Sequence, residues 1–312
     1  MAVDTGLIPE VGASATITAN KRSVALSNLD KVFWPQTGAT KRDLLRYYAT
    51  VAPVLLPHIR NKAMVLKRYP HGASADFFFM KRAPTPRPEW IQTCSIEHGS
   101  GSVIDFVMVN DLASLLWTVN LGCIDLNPWY APCDDINRPE YLHFDLDPVE
   151  APFERVREAA LIVRDALLGL GMPVYAKTSG ASGIHVYVPI VRGPLQKEVW
   201  TFAKLFAGKI AAVHPDILTA EYRIAKRPTG TVLVDYNQNA WGKTLASIYS
   251  VRPTPTATVS TPLQWSEIES GCSPEDFPMQ AVPKRIARTG DLWKALTLTR
   301  GRFDLAKMLA GL

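Results

Sequence analysis

Apolar positions along this 312-residue chain fall into two periods. In "PFERVREAALIVRDALLGLG", Phe153, Val156, Ala160, Val163, Leu167 and Leu170 recur at steps of three and four, which places them on one helix face, and Gly171 lies past its end. "KRDLLRYYATVAPVLL" predicts a second helix with Thr40 as its N-cap. "DLASLLWTVNLG" predicts another, capped by Asp111 and ended by Gly122, and "KEVWTFAKLFAGKIAAV" a fourth. The shorter runs "MVLKRYP", "DFFFMKR", "GSVIDFVMV", "HFDLDP", "VYAKTSG", "IHVYVPI" and "TVLVDYN" have the length and composition of strands. "APTPRPEW" and "RPTPTATVSTP" are extended loops, because their prolines cannot donate to a ladder.

Helices and strands intermix without a regular βαβ rhythm, so the pattern predicts an α+β fold, mixed β-sheets flanked by helices. Residues 1–22 are small, polar and patternless and are expected to be a flexible tail; residues 23–312 are expected to form a single domain. No transmembrane span is expected. The most apolar stretch, "FVMVNDLASLLWTVNLGCIDL", is broken by Asn110, Asp111 and Asn120.

With 47% hydrophobic residues the chain can bury a full core. Its four cysteines (Cys94, Cys123, Cys133, Cys272) form no CxxC pair, so neither structural zinc nor a disulfide framework is expected, and a reducing cytoplasm is the default setting. The N-terminus has no signal-peptide pattern. The net charge of +5 is unevenly spread: residues 1–100 hold 13 Lys and Arg against 7 Asp and Glu, and the remainder is close to neutral. A basic N-terminal third suits a polyanionic partner, although ordinary solvated surface explains it equally well.

Three stretches carry candidate chemistry. In "HFDLDP", Asp145 and Asp147 share one strand face while Phe144 and Leu146 turn the other way. Paired acids also occur in surface turns, but in an apolar strand they call for a cation, and oxygen ligands favour Mg²⁺ or Mn²⁺. In "TSGASGIHVYVPI", a Gly/Ser turn between strands offers backbone N–H groups to an anion, or is simply a hairpin connection; His185 follows it, on the face opposite Ile184, Val186 and Val188. Asp235 closes the strand "TVLVD", with Lys243 and Arg252 downstream as cations for a triphosphate or as plain surface charges. Three carboxylates, a phosphate turn and flanking cations are the parts that two-metal phosphoryl displacement needs.

In this order the motifs resemble the archaeo-eukaryotic primase-polymerase superfamily, and more closely the polymerase domain of bacterial ligase D and stand-alone relatives such as the ligase C-associated repair polymerase. "DKVFWPQTGATKRDLLRYY", "HFDLDP", "TSGASGIHVYVPI" and "VDYNQNAWGKTLASIYSVR" carry the likeness, which spans nearly the whole chain. The resemblance implies that Asp145, Asp147 and Asp235 are the catalytic, metal-binding triad for two Mn²⁺ or Mg²⁺ ions. It implies that Lys67, Ser179, Ser182, His185, Lys243 and Arg252 face the incoming nucleotide. It further implies that Phe78 and Phe79 pack against template bases and that Lys31 and Lys41 grip a 5′-phosphate across a gap. One of the three adjacent phenylalanines, residues 77–79, is expected to point into the core.

Two positions depart from the ligase D pattern: Ser182 stands where lysine is common, and Asn127 where histidine is common. No KxDG motif for a nucleotidyl-lysine is present, nor a histidine-rich phosphoesterase segment, so a stand-alone polymerase is expected.

The implied activity is a DNA-repair polymerase that adds nucleotides, ribonucleotides preferred, to a 3′-OH on gapped or broken-ended DNA. It would fill short gaps with a downstream 5′-phosphate, in the bacterial cytoplasm near the nucleoid, with a separate DNA ligase as a possible partner and no membrane. The alternatives are an end-joining polymerase acting on double-strand breaks and a non-catalytic DNA-end-binding module. A DxD glycosyltransferase leaves both Asp235 and the basic N-terminal third unexplained.

Overall fold

The computed structural model describes residues 5–99 and 101–310. The N-terminal half begins with a hairpin of β1 (Ala15–Ala19) and β2 (Arg22–Leu26), followed by the short pair β3 (Val32–Trp34) and β4 (Ala39–Thr40). Helix α1 (Lys41–Ile59) starts at Thr40, whose hydroxyl accepts from Asp43 N while the Asp43 carboxylate accepts from Thr40 N, a reciprocal cap. Then come β5 (Ala63–Arg68), β6 (Phe78–Met80), β7 (Thr93–Glu97), β8 (Val103–Met108), α2 (Leu112–Asn120) and β9 (Cys123–Pro128). In this five-stranded sheet β5 is the hub, pairing with β6, β8 and β9.

The C-terminal half is a six-stranded sheet, built from β10 (Tyr141–Val149), then α3 (Phe153–Gly169), β11 (Tyr175–Thr178), β12 (Ile184–Pro189), α4 (Gln196–Val213), β13 (Leu218–Thr219), β14 (Thr231–Asp235) and β15 (Pro262–Leu263). Its order is β13-β14-β10-β12-β11-β15, antiparallel except for the parallel β13–β14 pair, so the sheet is mixed as expected. Helices α3 and α4 cover one face. Phe144 and Leu146 are fully buried on that side, with the Phe144 ring tilted against Phe206 of α4. The alternation along β10 therefore sends Asp145 and Asp147 to the opposite face.

Three expectations are corrected here. The segment expected as a tail over residues 1–22 is packed: a 3-10 turn at Thr5–Leu7 leads to the buried Ile8, and Asn20 and Lys21, both at positive φ, close a two-residue hairpin that buries Ile17 and Ala19; residues 1–4 lie outside the described residues. Cys94 and Cys133 are joined as a disulfide with Cα atoms 6.0 Å apart, where no pairing was expected. The contact joins β7 to the loop after β9 across a small second core, 39 residues apart in sequence, and no short cysteine spacing encodes it. Finally, none of Phe77, Phe78 and Phe79 is buried: they are 48%, 45% and 59% exposed, because β6 is an edge strand.

Among the described residues no helix is long and apolar enough to cross a membrane.

Candidate active site

Strand register assembles the centre of the site. Across the six-stranded sheet Asp235 of β14 stands opposite Asp145 of β10, Asp145 opposite His185 of β12, and His185 opposite Lys177 of β11. Directly opposed antiparallel residues have side chains on one face with Cβ atoms ~4.5–5.5 Å apart. Four ionisable residues from four neighbouring strands therefore form one row, with Asp147 two positions further along β10. His185 Nε2 lies 3.1 Å from Asp145 Oδ1, and Lys177 Nζ 2.7 Å from His185 Nδ1. Lys177 also donates to Ala246 O at 2.9 Å and to Ser260 Oγ at 2.6 Å. His185 and Lys177 are 2% and 1% exposed.

Burial sets the electrostatics. Asp145 is pushed up to about 6 by desolvation, partly offset by the charges of Lys177 and Arg252. Asp147 is pushed up to about 7 by desolvation and then by the neighbouring charges of Asp145 and Asp235. Asp235 is raised for the same reasons, although Asn237 N donates to its Oδ1 at 2.8 Å and Gln238 Nε2 to its Oδ2 at 3.0 Å. Carboxylates that raise one another's proton affinity in a half-dry site are poised for a hard cation. The all-oxygen donor set of Asp145, Asp147 and Asp235 fits a divalent metal by its chemistry. Among the described residues, however, no three His, Cys, Asp or Glu side chains are drawn together at ligating distance; unscreened carboxylates repel.

The glycine turn sits directly on this row. A Cβ on Gly183 would lie 2.6 Å from Leu146 O and 3.2 Å from Asp147 Oδ1. Gly180, at φ +72°, would meet Arg252 Cγ at 2.6 Å and Ser260 N at 2.7 Å. No side chain fits at either position. The turn is more self-satisfied than the sequence suggests, since Ser179 Oγ accepts from Ala181 N at 3.1 Å and Gly183 N at 2.9 Å. Ser182, within it, is exposed, and so is Lys243 further along the chain.

Asp125 and Lys177 were not among the candidates read from the sequence, and neither were Arg68 and Arg227. Asp125 of β9 is buried between two cations of the predicted nucleotide set, with Lys67 Nζ at 3.5 Å from Oδ2 and Arg252 Nε at 3.4 Å from Oδ1. It thereby ties the N-terminal sheet to the segment lying on Gly180. Lys67 Nζ also sits 4.0 Å from the centre of the Phe77 ring, and Arg68 lies over Phe78 at 5.1 Å. Arg227, whose guanidinium is held by Glu221 O and Tyr222 O, lowers the proton affinity of Asp147 and Asp235 through its charge. Asn127 turns its amide back onto Asp125 O at 3.3 Å.

Lys31 and Lys41 are brought together next to Arg68. Lys41 is only 4% exposed and is pushed down to about 8, first by burial and then by the charges of Lys31 and Arg68. Each ammonium is anchored by a carbonyl, Lys31 to Pro70 O and Lys41 to Ser27 O, both at 2.7 Å. The helix start adds less than the sequence suggests. The N–H groups of Lys41, Arg42 and Asp43 already donate to Lys31 O, Leu29 O and the Thr40 hydroxyl, so the side-chain cations carry the positive character.

The sequence profile of the family described as "LigD, primase-polymerase domain" matches residues 40–293. The multifunctional non-homologous end joining DNA repair protein LigD of Mycobacterium tuberculosis is 31% identical over 288 residues, 89% of this chain and 38% of that protein. The bifunctional non-homologous end joining protein LigD of Bacillus subtilis is 32% identical over 268 residues, 85% of this chain and 42% of that protein. The chain thus spans about two fifths of these relatives. Among solved structures, the polymerase domain of Mycobacterium tuberculosis ligase D in complex with DNA superposes with a TM-score of 0.81 at 30% identity, covering 88% of this chain and 98% of that one.

Proposed function

The chain belongs to the LigD primase-polymerase domain family, and on that premise we propose that it is a DNA-repair polymerase that extends a 3′-OH opposite a template strand. The row Asp235–Asp145–His185–Lys177, with Asp147 beside it and the Gly180–Gly183 turn seated on it, carries this reading. The closeness of Asp147 and Arg252 to that turn, with Lys67 sharing the Asp125 carboxylate with Arg252, supports it.

Asp145, Asp147 and Asp235 are the residues that would hold divalent metal, Mn²⁺ or Mg²⁺, which when bound activates the 3′-hydroxyl and neutralises charge at the α-phosphorus during in-line displacement of pyrophosphate. Lys177 fixes the orientation of His185, and His185 holds Asp145 in place from within the sheet. Ser179 shapes the turn, Ser182 lies on it, Arg252 and Lys67 supply positive charge fixed by Asp125, and the exposed Lys243 would add a further cation. A charge held by a buried partner needs no reorganisation as the triphosphate reacts. Phe78 and Phe79, exposed on an edge strand, are flat apolar surfaces suited to template bases.

The substrate reading is a short gap with a downstream 5′-phosphate, taken by Lys31, Lys41 and Arg68. The relatives named above are end-joining proteins, which favours broken ends as a second substrate presenting the same recessed 5′-phosphate. Ribonucleotide preference, a separate ligase partner and action at the bacterial nucleoid complete the proposal. Extension assays on gapped, nicked, overhanging and unprimed templates, each with ribo- and deoxynucleotides, test it. Failure to incorporate on every template leaves only a DNA-end-binding module.

A further inference from the structure

Behind the third aspartate lies a cleft of about 550 Å³, lined by Asn137, Leu195, Lys197, Trp200, Ala240 and Trp241 among others. Two tryptophans on a polar surface are unusual enough to need a reason, and these are held rather than loose. Trp241 is 40% exposed, yet it meets His98 and Trp129 edge-to-face at 5.4 and 5.0 Å, and its indole Nε1 donates to Asn137 Oδ1 at 3.3 Å. Trp200 packs against Tyr236 and donates from Nε1 to Asn237 Oδ1 at 3.1 Å. Both indole donors are therefore consumed within the protein. What the cleft still offers a ligand is ring face and apolar edge.

Two lysines flank the cleft. Lys197 lines it and Lys204 stands over Trp200 at 5.2 Å, both exposed, while none of the described lining side chains is acidic. The nearby Glu198 carboxylate is turned onto Leu195 N at 2.6 Å. The cleft is also wired to the row of carboxylates: Asn237, which holds Trp200 through its side chain, donates its N–H to Asp235.

We propose that this cleft binds an unpaired stretch of single-stranded DNA, its bases stacking on Trp200 and Trp241 and its phosphates facing Lys197 and Lys204. Pre-ordered aromatic rings that have spent their donors, flanked by cations, match a chain of flat, anionic units better than they match a peptide, which would seek hydrogen bonds. The inference rests on the nucleic-acid reading of the neighbouring carboxylates, and adds a path for the strand that is not paired at the catalytic centre.

The test is titration of the intact chain with short oligothymidylate, following tryptophan fluorescence and the dissociation constant together. Quenching is expected, with affinity weakened about tenfold in Trp200→Ala and in Trp241→Ala and largely kept in Trp241→Phe. The phenylalanine variant guards against a mere loss of packing on His98 and Trp129. Unchanged affinity in both alanine variants overturns the cleft, as does salt-sensitive binding without quenching, which is phosphate contact alone. Quenching by a proline-rich peptide and none by oligothymidylate overturns it in favour of a protein partner. Nucleotide incorporation on a primed template, measured in parallel, separates the two readings. Incorporation with tryptophan-insensitive oligothymidylate binding removes the cleft and keeps the polymerase, whereas tryptophan-dependent binding without incorporation does the reverse.

Discussion

Lys177 Nζ and His185 Nδ1 share a hydrogen bond at 2.7 Å, both of them buried in the sheet interior. Lys177 Nζ also reaches Ala246 O and Ser260 Oγ, and His185 turns Nε2 toward Asp145 Oδ1 at 3.1 Å. The proposed role of His185 is to support the Asp145 carboxylate from within the sheet. His185→Ala is expected to lower kcat and raise the metal concentration needed for half-maximal extension, with DNA affinity measured without nucleotide unchanged. Lys177→Met should reproduce the metal effect in weaker form. A His185→Ala enzyme with wild-type metal dependence would contradict this arrangement.

Asp145→Ala, Asp147→Ala and Asp235→Ala should each abolish nearly all extension without lowering the melting temperature. Each carboxylate is raised in proton affinity by burial and by its neighbours, so its charge is a burden to the empty fold. Substantial activity in any one of them removes that residue from the triad.

The same shifts predict how stability varies with pH. Asp147 titrates near 7 when folded against an ordinary 3.8, so the folded chain keeps a proton that the unfolded chain releases. Stability is then greatest below the ordinary value and falls as pH rises through about 7. In chelator, the melting temperature should decline across that window. Asp147→Asn should flatten the decline, and added Mn²⁺ should restore stability at the alkaline end. A melting temperature that rises over this range would show that the carboxylates do not repel one another.

Much of this site can be read from local pattern, and the remainder depends on register. Asp145 and Asp147 announce themselves because acids in an apolar strand need a partner, and Gly180 and Gly183 because they fall between two strands. Lys177 gives no such signal: in "VYAKTSG" a lysine reads as solvated, and only the pairing of β11 with β12 buries it against His185. Asp125 is hidden likewise, since its cations come from β5 and from beyond β14. The β1–β2 hairpin was missed because its turn uses Asn20 and Lys21 at positive φ, where an Asn-Gly pair would have been legible.

Asp125 should prove to be a positioning residue. Asp125→Asn leaves Lys67 and Arg252 without their shared carboxylate. Both cations are about a fifth exposed, so the stability loss should stay below the ~3–5 kcal/mol of a fully buried broken pair. The larger effect should be a raised nucleotide KM with smaller change in kcat, rescued in part by Asp125→Glu. Equal KM in wild type and Asp125→Asn would assign the carboxylate to folding alone.

Variants of the cations at Lys31, Lys41 and Arg68 test gap filling against simple primer extension. A terminal phosphate carries more charge than an internal diester, so three clustered cations discriminate between a gap ending in 5′-phosphate and one ending in 5′-OH. The phosphorylated gap should bind tighter and be extended faster. Lys31→Ala combined with Lys41→Ala should erase that preference, and each lost phosphate contact should flatten the slope of log K against log salt by about 0.7–0.9. The pH dependence is more specific. Lys41 titrates at about 8 because burial, Lys31 and Arg68 disfavour its charge, so its ammonium is lost as pH rises through that value. The phosphate itself is already dianionic well below, with its second pKa near ~6. The 5′-phosphate preference should therefore decline above pH about 8 in the wild type and persist there in Lys41→Arg, whose guanidinium stays charged. A preference that is flat through this range in both proteins places the phosphate on Lys31 and Arg68 alone. No preference at any pH excludes the pocket, and open primer-templates then become the expected substrate.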